Sequence, residues 1–151
     1  MLAAIIETVG PFRMELKHTR SLFGALAEAL RGCGLSRAKV AALQDLARRV
    51  EDGELPTLDV AQDIPDAELI ERLVRVRGIG RWSAQMFLMF HLGRPGVLPV
   101  DNYSLRKAYA TAFRKPVLPT PEELEKAGKR WRPYRTVASW YLWRILDQPA
   151  A

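Results

Sequence analysis

Thiols and imidazoles are scarce in this 151-residue chain, which holds one cysteine, Cys33, and two histidines, His18 and His91. A lone thiol rules out an intramolecular disulfide, a cysteine-built zinc site and a four-cysteine iron–sulfur cluster. The histidines lie far apart without metal-ligand spacing and read as surface or helix-end residues. No apolar run approaches the ~20 residues of a membrane span. The start, Met1 to Glu7, has no basic segment and meets an acid too early for a secretory signal, so a cytoplasmic protein without membrane contact is expected. Period-two alternation, Asn-Gly and Asp-Gly turns, internal repeats and low-complexity tracts are also missing, which argues against a sheet.

What is present is helical pattern. Hydrophobic residues make up 48% of the chain, enough for a core, and the expectation is one all-α domain spanning residues 1–151. Leu22, Leu26 and Leu30 form a stripe within Ser21 to Arg31. Ser36 can cap a helix with Val40, Leu43, Ala47 and Val50 on its apolar face, closing at Gly53. Asp66 can cap a helix carrying Leu69, Ile70, Leu73 and Val76. Further helices are expected from Arg81 to about Leu92, from Asp101 to about Phe113, and from Tyr134 to Leu146. Thr120-Pro121-Glu122-Glu123 is a capping box with proline at the first helical position. The segments around Leu55 to Ile64, Gly93 to Val100 and Arg114 to Pro119 read as linkers. The net charge is +6, from 23 Lys and Arg against 17 Asp and Glu, and favours a polyanionic partner.

Three stretches carry chemistry. The first is Arg77-Gly78-Ile79-Gly80-Arg81-Trp82-Ser83, between two amphipathic helices. Glycines at i and i+2 permit a tight turn with positive φ, and they leave the N–H groups at the start of the following helix facing outward. Those donors and the positive helix end suit a phosphate, and Arg81 adds charge at the rim. The plainer alternative is an ordinary turn in which the glycines only stop a helix. The second stretch, Val97 to Lys107, carries Asp101, which by position alone is an N-cap. The third, Lys129 to Arg144, interleaves Trp131, Tyr134, Trp140, Tyr141 and Trp143 with basic residues; a bland amphipathic helix would also explain it.

Together, and in this order, these stretches resemble the DNA-3-methyladenine glycosylase II family of helix-hairpin-helix base-excision glycosylases. The likeness runs from about Gly32 to Leu146 and includes Gly34-Leu35-Ser36-Arg37-Ala38-Lys39. It implies a helix-hairpin-helix at about 66–92 and a catalytic loop and helix at about 97–113. It also implies a monofunctional glycosylase that flips alkylated purines such as 3-methyladenine out of double-stranded DNA and hydrolyses the N-glycosidic bond. Asp101, five residues before Arg106 as in the family, would be both cap and catalyst, stabilising the sugar cation. Gly78, Gly80, Arg81 and Ser83 would bind a DNA phosphate. Trp82, Met86 and Trp143 would line the base pocket, although periodicity alone makes Trp82 a core residue. Relatives that also cut the backbone carry lysine at the Trp82 position, and tryptophan cannot attack a sugar carbon. The carbonyls of Val74, Val76 and Ile79 would hold a monovalent cation, Na or K, with no other cofactor required. A nucleoid-associated location follows.

The chain departs from the family at three places. Leu30 runs directly into Arg31, as if a helical segment were deleted, so a shortened fold, weakened or absent excision and self-association through the Leu22–Leu30 face are expected. Gly96 and Asn102 replace acids, which changes the electrostatics beside Asp101. The mixed domain that some relatives carry upstream is not in this sequence. The alternatives are a non-catalytic or degenerate helix-hairpin-helix DNA-binding module and a plain helical protein with incidental charge.

Overall fold

The computed structural model describes residues 37–147. The Leu22–Leu30 stripe, the junction after Leu30, Cys33, His18 and the Ser36 cap lie outside the described residues. Every element among them is helical, as the periodicity predicts. They fall into two compact units, residues 37–93 and 94–147.

In the first unit α1 spans Arg37–Glu51, α2 Leu58–Ala61, α3 Asp66–Val74 and α4 Arg81–Phe90. The face of α1 differs from the one the periodicity picks: Ala42 and Leu46 are buried, Leu43 and Ala47 only half-buried, and Val50 is exposed. A small residue faces inward at Ala42 because a Cβ on Gly78 would stand 3.2 Å from its methyl carbon, so the backbone of the turn lies against the helix. On α3 the expected stripe holds, with Leu69, Ile70, Leu73 and the following Val76 all buried. Its cap position belongs to Pro65, and Asp66 is the first helical residue, where its charge meets the positive helix end. The presumed linker from Leu55 contains α2, four residues long and too short to show a period. His91 is the C-cap of α4, stacked on Phe87 with centroids 5.4 Å apart, a helix-end histidine as expected.

In the second unit α5 spans Tyr103–Ala112, α6 Pro121–Gly128 and α7 Arg135–Leu146, with a 3₁₀ turn at Lys129–Trp131. The capping box of α6 is complete: Thr120 Oγ1 accepts from Glu123 N–H at 3.2 Å, and the Glu123 carboxylate accepts from Thr120 N–H at 2.8 Å. Leu98, Leu105, Ala108, Tyr109, Leu124, Trp131, Ala138 and Leu142 form the core. A Cβ on Gly128 would overlap Leu98 Cδ2, so any other residue there requires the Leu98 side chain to shift.

Candidate functional site

The turn between α3 and α4 is built so that its apolar residues anchor it and its glycines stay at the surface. Val76 and Ile79 are buried on either side of the exposed Gly78. Ile79 N–H donates to the carbonyl of Val76 at 3.1 Å, closing the turn. Gly78 has φ of +82°, the left-handed conformation the glycine pattern predicts, and Cβ strain would penalise any other residue there. Gly80 is different. Its φ is −89° and ψ 170°, open to any residue, and a Cβ would meet nothing within 4 Å. Among the described residues no contact explains that glycine. It sits at the cap position of α4 and has no side chain to offer the first N–H groups of the helix.

Arg75, Arg77 and Arg81 are exposed around the turn, with Ser83 half-buried in the first turn of α4. A residue the sequence reading passed over orients the turn. Asp45 on α1 accepts the backbone N–H of Arg77 at 2.9 Å, and Arg48 and Arg49 also donate to it at 3.0 Å each. These bonds, the one from Arg77 foremost, hold the Asp45 carboxyl well below the usual carboxylate range.

Trp82 stands one step past the turn and is 54% exposed, so it is not the core residue that periodicity alone suggests. Met86, four residues on and half-buried, shares its helix face.

In the second unit Asp101 lies at the end of a firmly tied loop. Thr136, buried at the start of α7, donates its hydroxyl to the Arg94 carbonyl at 2.5 Å and accepts from Val97 N–H at 3.2 Å. Thr136 N–H donates to Pro95 O at 2.8 Å, and Arg135 Nε to Gly96 O at 2.6 Å. Pro99 is fully buried, and its carbonyl accepts from Asn102 N–H at 3.0 Å across the turn. Asp101, inside that turn, is exposed.

The cap of α5 is Asn102, one residue later than the Asp101 position expected. Asn102 Oδ1 accepts from Leu105 N–H at 2.8 Å. The same oxygen receives Trp143 Nε1 at 3.3 Å, so one amide caps α5 and holds the half-buried indole from α7. Sequence patterns miss this pair because 41 residues separate its members. The carboxylate and Trp143 thus share one unit, and the glycine turn, Trp82 and Met86 the other.

No family model matches the chain. Over 117 residues it is 40% identical to DNA-3-methyladenine glycosylase 1 of Schizosaccharomyces pombe, covering 78% of this chain and 51% of that protein. Over 118 residues it is 33% identical to the putative DNA-3-methyladenine glycosylase YfjP of Bacillus subtilis, covering 78% and 41%. The chain thus spans about half the length of the curated relatives it matches. Its fold matches the solved Schizosaccharomyces pombe 3-methyladenine DNA glycosylase (Mag1) in complex with abasic DNA, with TM-score 0.81 and 28% identity over 97% of this chain and 91% of that one. With its glycine turn, tied aspartate loop and aromatic last helix, the chain belongs to the DNA-3-methyladenine glycosylase family of helix-hairpin-helix glycosylases.

Proposed function

We propose that this protein is a monofunctional DNA N-glycosylase that removes alkylated purines such as 3-methyladenine from double-stranded DNA in base-excision repair. The reading rests above all on Asp101, an exposed carboxylate on a turn fastened at both ends, beside a helix whose cap comes from Asn102. A fixed anion that capping does not require is what the reaction needs.

Cleavage breaks the C1′–N bond, and its electron pair leaves with the base. A base alkylated into a cation departs neutral, so no strong general acid is required. Positive charge builds on the deoxyribose, and Asp101 stabilises it electrostatically. Water then adds to C1′ and gives up a proton. Trp82 replaces the nucleophilic lysine of strand-cutting relatives, so hydrolysis stops at an abasic site. The base must leave the stack to be reached; Trp143, in the unit of Asp101, offers it aromatic surface, and in the other unit Trp82 and Met86 supply aromatic and apolar surface to the DNA. The relative solved with abasic DNA carries the product class this reaction leaves, which supports duplex DNA as partner.

Gly78, Gly80, Arg81 and Ser83 hold one backbone phosphate through α4 N–H groups and the helix dipole. The carbonyls of Val74, Val76 and Ile79 suit a monovalent cation such as Na or K, since the Val76 oxygen keeps a second lone pair beyond its bond to Ile79. Bound there, the ion would offset phosphate charge. The chemistry calls for no other cofactor. Such an enzyme works at the nucleoid, on duplex DNA. Among the described residues no helix is long and apolar enough to cross a membrane.

The test is release of 3-methyladenine from methylated duplex DNA by the full chain, with strand integrity followed in parallel. Free base with intact strands supports the reading. Binding without base release would leave a DNA-binding module.

A further inference from the structure

The positive charge of this chain is not where the glycine turn is. Residues 37–93 carry eight Lys and Arg against nine Asp and Glu, whereas residues 94–147 carry eleven against five. Much of the first unit's basic charge is also spent internally, Arg48 and Arg49 on Asp45, Asp52 and Glu54, and Arg72 on Glu68. A turn in a unit without net positive charge can position a phosphate but cannot supply the long-range attraction of a polyanion.

In the second unit the cations concentrate between the end of α5 and the 3₁₀ turn. Arg114, Lys115, Lys126, Lys129, Arg130 and Arg132 are all exposed, and among the described residues none of the six forms an ion pair. The acids of this stretch are engaged elsewhere. Glu125 pairs with Arg135 at 2.9 Å, and Glu123 is held in the capping box. Glu122, at the start of α6, has its carboxyl kept below the usual range by its own backbone hydrogen bond, then by Thr120 and the charge of Arg106. Lys115, Lys126 and Arg130 rim a groove of about 530 Å³, and Arg130 also borders an adjoining one of about 490 Å³ with Arg132. The charge is therefore spread along a surface rather than focused on one pocket.

We infer that this α6–3₁₀ face is a second DNA contact surface, one that grips the duplex backbone through phosphates and supplies most of the electrostatic attraction. Spread, exposed lysines and arginines with no carboxylate partner match a line of regularly spaced phosphates, and each contact releases condensed counterions. The inference rests on the glycosylase reading, which makes duplex DNA the polyanion at hand.

The experiment titrates the full chain against undamaged fluorescent duplex DNA over a salt series. The variant Lys126→Glu/Arg130→Glu is compared with Arg72→Glu/Arg144→Glu, which changes net charge equally at two residues that line neither groove. The first pair is expected to weaken binding at least on the order of tenfold and to flatten the log–log salt slope by about 1.8, two contacts at roughly 0.9 each. The control pair keeps the parent slope. Lys126→Gln/Arg130→Gln, expected to lose the same two contacts with a smaller drop in affinity, serves if the reversal variant fails to fold by circular dichroism. Parental affinity and slope in the α6 variants would overturn the inference, as would an equal loss in the control. Preference of this face for polyglutamate over duplex would overturn it too, in favour of an acidic protein partner. A parent that excises base while the α6 variants bind normally removes this inference alone; a parent that binds no DNA removes the glycosylase reading with it.

Discussion

Asp45 on α1 accepts the backbone N–H of Arg77 across 32 residues of sequence, at 2.9 Å, and so ties the glycine turn to a helix that makes no chemistry of its own. Arg48 and Arg49 complete the arrangement by neutralising the carboxylate. Because these bonds depress the Asp45 pKa below its unfolded value, their stabilisation is present above about pH 4 and is lost as pH falls through the lower folded value. Asp45→Asn keeps an acceptor for Arg77 but drops the charge. The variant is expected to melt lower than the parent at neutral pH, the gap closing in acid, and to bind duplex DNA severalfold more weakly. Thermal melts over a pH series check this; a gap independent of pH contradicts it.

The two glycines of the turn are expected to separate stability from binding. Gly78→Ala forces a left-handed conformation and a 3.2 Å approach to Ala42, so it should cost about 1–2 kcal/mol or more. Gly80→Ser meets open space in an ordinary cap conformation and should stabilise the fold by a few tenths of a kcal/mol, since serine caps better than glycine. Yet its side chain would occupy the N–H groups a phosphate needs, and duplex affinity should drop on the order of tenfold, or ~1.4 kcal/mol. Melts and titrations of both variants decide it. Undiminished binding by Gly80→Ser would reduce the turn to a plain helix stop.

Much of this was legible in the sequence, and the misses share a cause. Helices with strong local signals, such as α6 with its Thr120 box and α7 with its aromatic run, announce themselves through neighbours a few residues apart. Gly78 was legible because only glycine tolerates its φ. What sequence cannot rank is competition between adjacent candidates: Asp66 yields the cap to Pro65, and Asp101 yields it to Asn102, because loop geometry decides which residue faces the first turn. Nor does it reveal partners brought together by folding. Asp45 with Arg77, Asn102 with Trp143, and Thr136 with Arg94 to Val97 are pairings of ordinary residues, and no local period marks them. The buried face of α1 was misread because packing against the turn favours the small Ala42 over the larger Leu43.

Asn102 joins capping to the aromatic wall. Asn102→Ala should lose about 1 kcal/mol from the missing cap and release the Trp143 indole, lowering the excision rate more than duplex affinity. Asn102→Asp restores the acceptor, and with it stability, but sets a second carboxylate beside Asp101. An Asp variant that melts like the alanine one, or an alanine variant that excises at the parent's rate, would separate Asn102 from these roles.

The most direct test of the central claim is single-turnover release of 3-methyladenine from duplex DNA by the parent and by Asp101→Asn, with undamaged-duplex affinity measured on the same preparations. The amide keeps the size of the side chain and one acceptor oxygen, and removes the charge that stabilises the sugar cation. The account predicts a rate lower by on the order of 10²-fold or more, with affinity within about twofold of the parent. Equal release by the two proteins would contradict it and leave Asp101 as a turn residue of a DNA-binding domain.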